Sequence, residues 1–305
     1  MHPENKKRLS SLGELPVTKL ENGEKYLGLV HTPEHINKIK ELSARGGSSA
    51  NIDTIISAGS YEAAIYAVGA SIMASKNGDF ALTRPPGHHA HRDYFSGFCL
   101  FNNIAIAAQY HVNQGKRVLI IDIDGHLGCS TEKCFYDSDK IMYWSLHQYP
   151  AFPGWGNTDE IGEGEGEGFT INVPLPPGSG DDIFMDAFES FLPVAKEFKP
   201  DIVGISAGFD SHQFDPLLDQ RLTVNTFYKI GKLISANFKN VFATLEGGYN
   251  IDVFPKCLYN FLDGINNEEM RFEEKKTDSH IQTFQEYERR KAIIVQNLRK
   301  YWKSI

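Results

Sequence analysis

Two adjacent histidines, His88 and His89, follow a Pro-Pro-Gly turn in the stretch TRPPGHHAHRDYFSGFCLFNN (residues 83–103), and a third, His91, stands two places on. A histidine that only fills space needs no twin, so the pair raises the question of what else the chain can bring to it. Asp124-x-His126 and a distant Asp210 offer one imidazole and two carboxylates. Catalytic zinc takes three protein ligands and keeps a position open for water or substrate. The same nitrogen and oxygen donors also suit ferrous iron, cobalt or manganese. Metal-assisted amide hydrolysis needs a base to take a proton from water and an acid to protonate the departing amine. His88 and His89 can supply both. Tyr249, on a Gly-Gly turn, can donate a hydrogen bond to an oxyanion. A lone D-x-H triplet arises often by chance; its weight here depends on where the chain places it.

That placement follows from the hydrophobic pattern. Short apolar runs rich in β-branched residues recur at 80–85, 117–124, 141–147, 201–210 and 240–249. Continuous hydrophobicity over such lengths predicts strands buried on both faces. Helical patterns lie between them, at 61–75, 101–112, 182–198, 223–238 and 253–264. Another starts at Thr32-Pro33-Glu34, an N-cap residue followed by proline and an acid. Alternating strands and helices predict an α/β fold, a mostly parallel central sheet with helices on both faces. Ligands in such sheets bind beyond the carboxyl ends of the strands. Asp122, Asp124 and His126 follow one predicted strand, Asp210 ends a second, and Tyr249 ends a third. The His88–His89 turn should reach the same edge.

The chain has 305 residues, 41% hydrophobic and 23% charged, with a net charge of −8. An acidic balance argues against sequence-independent nucleic-acid binding, which needs a basic surface. No apolar run is long enough to span a membrane. The N-terminal MHPENKKRLS has no apolar stretch of the secretory kind. Cys99, Cys129, Cys134 and Cys257 lack zinc-finger spacing, which suggests a reduced, cytoplasmic setting. The run GEGEGEG (162–168) reads as a solvated loop rather than a calcium or polyamine site. The stretch 266–279 is highly charged. Beyond it Phe284, Tyr287, Ile294, Leu298 and Tyr301 mark a helix with one apolar face that docks on the body.

The motifs RPPGHHA, GFCLFNN, IDIDGH, SLHQYPAFPG, INVPLP, SAGFDSH and LEGGYN stand in the order seen in the histone deacetylase superfamily, and HPENKKRL resembles that family's opening motif. The resemblance runs from His2 to about Gly264. The glutamate form LEGGYN is more similar to class II, acetylpolyamine amidohydrolase and bacterial or archaeal members than to class I. The resemblance implies a single arginase/deacetylase-like domain over 1–265, with the charged loop and helix of 266–305 packed on it. It implies one zinc ion on Asp124, His126 and Asp210, and His88 and His89 as the tandem pair, with His89 as base and acid. Tyr249 would be the oxyanion donor. Phe98 and Phe152 match the aromatic walls of an acyl-lysine channel, with Gly97 beside them, and Asp53 resembles a rim aspartate that holds the substrate backbone. Asp122 matches the carboxylate that orients His88. It also matches a ligand of a monovalent-cation site (K+ or Na+), together with the carbonyls of Asp124, His126 and Leu146 and the Ser145 hydroxyl. The implied substrate is an acetylated lysine peptide or an acetylated polyamine or other small amine, with acetate released.

Three departures stand out. Leu127 occupies the place of a second histidine after the metal ligand. Cys129 stands where a polar residue usually anchors His89, and a neutral thiol is a weak hydrogen-bonding group. The strand and rim loop that usually precede HPEN are not in this sequence, which would leave a sheet edge or a channel wall open. A weakened or non-catalytic acyl-group binder is therefore an alternative reading. An arginase-type binuclear hydrolase is a second one, disfavoured because Gly128 and His212 stand where bridging carboxylates would be needed; His212 is expected to be an exposed loop residue.

Overall fold

In the computed structural model, residues 2–49 and 53–305 are described. The apolar runs form the centre of the molecule. Strands β3 (Phe80–Ala81), β4 (Val118–Asp122), β5 (Ile141–Gln148), β6 (Thr170–Leu175), β7 (Ile202–Ala207) and β8 (Val241–Leu245) make one sheet in the order β3-β8-β7-β4-β5-β6. Every pairing in it is parallel. A two-stranded antiparallel ribbon, β1 (Gly47–Ser49) with β2 (Ile55–Ser57), lies apart from it.

Helices cover both faces, as buried parallel strands require. Successive side chains of β4 point to opposite sides: Leu119 and Ile121 join one core, Val118 and Ile120 the other. The first core is closed by α6 (Asp181–Glu197), α7 (Val224–Asn237), α8 (Phe254–Ile265) and α9 (Ile281–Leu298). The second is closed by α2 (Pro33–Ala44), α3 (Ser60–Asn77) and α4 (Asn103–Val112). Thr32 caps α2 by accepting the His35 N–H at 3.3 Å, ahead of Pro33. Two short helices, α1 (Lys7–Ser10) and α5 (Cys129–Cys134), lie against the site end of the sheet. Among the described residues no helix is long and apolar enough to cross a membrane.

The predicted strands are present, and all but β5, which runs on to Gln148, are shorter at their carboxyl ends. The run at 80–85 pairs only through Phe80–Ala81, because the chain turns at Thr83 and enters the two prolines. The runs at 201–210 and 240–249 leave the ladder at Ala207 and Leu245, and the residues beyond them form the site. β6, within FTINVPLP, was not anticipated as a strand. Residues 162–168 form an irregular loop with one tight turn at Gly164–Gly166.

Candidate active site

The strand order reverses at β4: the chain steps outward through β5 and β6, then returns to the other side of β4 as β7. A crevice opens at such a switch point beyond the carboxyl ends of the strands. Asp124 and His126 follow β4 and Asp210 follows β7, so the two sides of that crevice supply the three residues. One donor atom from each lies within 4.8 Å of the others. His126 Nδ1 is 2.7 Å from Asp210 Oδ2 and 3.4 Å from Asp124 Oδ1. Backbone donors hold both carboxylates: Asp124 accepts from Gly247 N–H at 2.7 Å and His126 N–H at 2.9 Å, and Asp210 accepts from Gly125 N–H at 2.7 Å. The backbones approach this closely because two glycines line the crevice. A Cβ at Gly208 would stand 2.0 Å from Asp124 Oδ2, and one at Gly247 would stand 2.6 Å from the same oxygen.

Both carboxylates are fully buried. Burial and the neighbouring Asp124 push the Asp210 carboxyl above its ordinary range. Burial opposes a charged His126, yet Asp210 and Asp124 outweigh it and push that imidazole up to about 10. The pocket is thus a concentration of negative charge that favours a cation. Two carboxylates and an imidazole meet the donor chemistry of a three-ligand catalytic zinc site.

His88 and His89 lie beside this cluster with ring centroids 4.0 Å apart and planes tilted by 46°. His88 Nδ1 lies 3.1 Å from Asp122 Oδ2, and Asp122 also accepts the Tyr143 hydroxyl at 3.0 Å. Burial acts against a proton on His88, but Asp124, Asp122 and Glu246 overcome it and raise the group to about 10. His89 is driven the other way, well below the usual range, by burial and by His88 and His126. The two rings are thus driven in opposite directions, His88 toward the protonated form and His89 toward the neutral one.

Tyr249 follows β8. Its N–H donates to Asp215 at 2.7 Å, and its ring meets Phe98 edge-on at 5.7 Å. Phe152 stands edge-on to His89 at 5.1 Å and is 44% exposed, at the mouth of the site. Gly97 (φ +54°) packs on His89 so closely that a Cβ would lie 2.3 Å from Cδ2 of that ring. Asp53 accepts the Gly97 N–H at 3.3 Å, which sets it against the backbone of the Phe98 segment. A cavity of about 490 Å³ adjoins Phe98, bordered by His2, Glu4, Ile55 and Arg84. For the expected cation site, Asp122 and Ser145 pair in register across β4 and β5. The Ser145 hydroxyl lies 2.9 Å from His147 Nδ1, and Leu146 is buried beside it.

His212 is not an exposed loop residue. It is fully buried, with Nε2 3.0 Å from Glu274 Oε2, because the charged stretch after α8 folds across it. Two further residues escaped the sequence reading. Arg8, buried on α1, donates from Nε to the Gly248 carbonyl at 2.7 Å and from Nη2 to the Glu246 carbonyl at 2.6 Å, so it clamps the turn that carries Tyr249. The Glu246 carboxylate accepts the Gly87 N–H at 2.7 Å and the His88 N–H at 3.1 Å, fixing the His-His turn. Both lie inside quoted motifs, HPENKKRL and LEGGYN, but nothing in their spacing separates Arg8 from Lys6 or Lys7 beside it.

Comparison with known proteins gives a consistent picture. The family described as "Histone deacetylase domain" matches residues 2–265. A protein of Archaeoglobus fulgidus named "Probable deacetylase" is 38% identical over 237 residues, covering 73% of this chain and 66% of the relative. Histone deacetylase 14, chloroplastic, of Arabidopsis thaliana is 43% identical over 213 residues, 66% of this chain and 50% of the relative. The histone deacetylase-like amidohydrolase of Pseudomonas aeruginosa is 34% identical over 279 residues, 84% and 73% of the two chains. A crystal structure of the HDA15 HD domain is similar with a TM-score of 0.89 at 30% identity, covering 99% of this chain and 89% of that one. Against several curated relatives the chain spans only 39% to 66% of their length.

Proposed function

Because the chain belongs to the histone deacetylase family, we propose that it is a zinc-dependent amidohydrolase that removes acetyl groups from an acylated amine and releases acetate. The observation that carries this reading is the convergence of Asp124, His126 and Asp210 beside a buried histidine pair whose rings lie 4.0 Å apart, with His88 Nδ1 against the Asp122 carboxylate. Zinc held by those three residues would supply Lewis acidity to the acyl carbonyl and to water. His89 accepts the proton of the attacking water. His88, paired with Asp122, keeps the charge next to it balanced. The Tyr249 hydroxyl donates to the oxyanion as the carbonyl becomes tetrahedral. The C–N bond breaks, the histidine pair returns the proton to the amine, and acetate and free amine leave. Phe98 and Phe152 flank the flat stem of the substrate. Acetyl-lysine in a peptide and an acetylated polyamine both fit this chemistry, and the unpaired cysteines suit a reducing, cytoplasmic setting.

A second reading has one observation in its favour. The thiol of Cys129 lies 3.5 Å from His89 Nδ1, a weaker anchor than a carboxylate. On that reading the protein binds acyl groups without turning them over. Metal removal separates the two: chelation should abolish acetate release and zinc should restore it. Asp210→Asn should lose both the metal, measured by elemental analysis after dialysis, and the activity. Zinc retained at one per chain with no acetate released would favour the binder.

A further inference from the structure

The third histidine of the HHAH motif has no part in the reaction as described, yet it sits in contact with it. Cys129 opens α5, and its Sγ lies 3.5 Å from His89 Nδ1 and 3.5 Å from His91 Nε2. The sulfur thus stands between two imidazoles. All three side chains are buried, at 5% exposure for His89, 1% for Cys129 and 7% for His91. His91 is itself held firmly. Its ring stacks on Tyr94 at 4.1 Å and 13°, Trp155 meets it edge-on at 6.0 Å, and its carbonyl is 3.0 Å from His31 Nδ1.

A thiol has one weak donor and a weak acceptor, so it can serve both rings only in a chain of one sense. If His89 is to accept a proton at Nε2, its Nδ1 must already carry hydrogen. Once protonated, the ring has hydrogen on both nitrogens and the sulfur can only accept. The thiol hydrogen must then point to another acceptor, and His91 Nε2 stands at that position. We propose that His91 is a positioning residue: it receives the Cys129 S–H and so turns the sulfur lone pairs toward His89 Nδ1–H, holding His89 in the tautomer whose Nε2 is bare. Cys129 and His91 together then do what a carboxylate or amide would do alone. Burial supports both protonation states, raising the thiol to about 12 and lowering His91 to about 4, so the sulfur keeps its hydrogen and the imidazole stays neutral.

The catalytic part of this inference rests on the amide-hydrolysis reading; the placement of the protons does not. The test therefore has two readouts. In protein labelled with 15N-histidine, with and without zinc, nitrogen spectra should show His89 protonated at Nδ1 and bare at Nε2, and His91 bare at Nε2. Cys129→Ala should abolish the preference at His89. A hydrogen on His91 Nε2 in the unaltered protein overturns the proposal, whether or not the protein turns over. In kinetics, His91→Phe keeps an aromatic ring against Tyr94 but removes the acceptor. It should lower kcat about tenfold with KM unchanged. Adding Cys129→Asp to it should restore kcat, since a carboxylate accepts from Nδ1–H unaided. An equal loss from His91→Phe with and without Cys129→Asp would mean that His91 only packs, and would also overturn the relay. Absence of acetate release from the unaltered protein, with the predicted spectra intact, would sink the hydrolase reading and leave the relay standing.

Discussion

Gly97 allows His89 almost no freedom. Its φ of +54° suits glycine, and a Cβ there would fall 2.3 Å from the His89 ring. Gly97→Ala must displace that ring, and a shift of about 1 Å at a reacting group costs on the order of 10²-fold. A large loss of kcat with zinc content unchanged is the expected result; unchanged kcat would mean that His89 is not the base. The Asp124, His126 and Asp210 cluster was legible in the sequence because its members end, or directly follow, runs that had to be strands. The histidine pair was legible because two adjacent imidazoles have no packing reason. Arg8 and Glu246 were not, since their work is to hold backbone: Arg8 grips two carbonyls and Glu246 two N–H groups. Backbone partners of that kind leave no spacing to read. The burial of His212 is not legible for a related reason: its partner Glu274 comes from the charged stretch 266–279, more than sixty residues away in the chain.

Helix α5 illustrates what an element does for the site beyond its own residues. It carries Cys129 to the histidines, and it buries Glu132, whose carboxylate accepts from Asn172 Nδ2 at 2.7 Å on strand β6. Burial, opposed by the Asn172 hydrogen bond, raises Glu132 from its ordinary 4.5 to about 8. The folded protein then holds a proton that the unfolded chain has released between those values, so stability must fall as pH rises through that window. Glu132→Gln removes the titration. Relative to the unaltered protein it should gain stability between about pH 5 and about pH 9, measured by denaturant midpoints. A constant difference across that range would contradict the raised pKa. Strand β6 itself went unread. Its apolar alternation is short and interrupted by Pro174, and it became a strand only because β5 offers its edge from Tyr143 to Gln148. The five other strands of the sheet were readable because their apolar runs are nearly unbroken, whereas β6, although buried along its whole length, sets Thr170, Asn172 and Pro174 between its apolar residues.

The molecule closes through its C-terminal helix. Tyr287, Ile294 and Leu298 of α9 are buried in the same core as β6 and α6, and Trp302 donates to the Gly168 carbonyl at 2.7 Å. Arg290 donates to the Tyr149 carbonyl at 2.8 Å and Asn297 to the Thr158 carbonyl at 2.9 Å, so the helix also braces the loop that presents Phe152. Leu298→Ala should cost about 2–5 kcal/mol of stability, seen as a lower denaturant midpoint. A cost below about 1 kcal/mol would mean that α9 is only loosely attached. All of this scaffolding serves one chemical claim, that an acyl carbonyl is hydrolysed between Tyr249 and His89. The direct measurement is acetate release by the zinc-loaded protein, from an acetyl-lysine peptide and an acetylpolyamine side by side, with Tyr249→Phe as the comparison. Release from one or both, reduced by about 10²-fold or more in Tyr249→Phe, is the predicted result. Release that is indifferent to Tyr249, or none from either substrate with zinc bound, would contradict it.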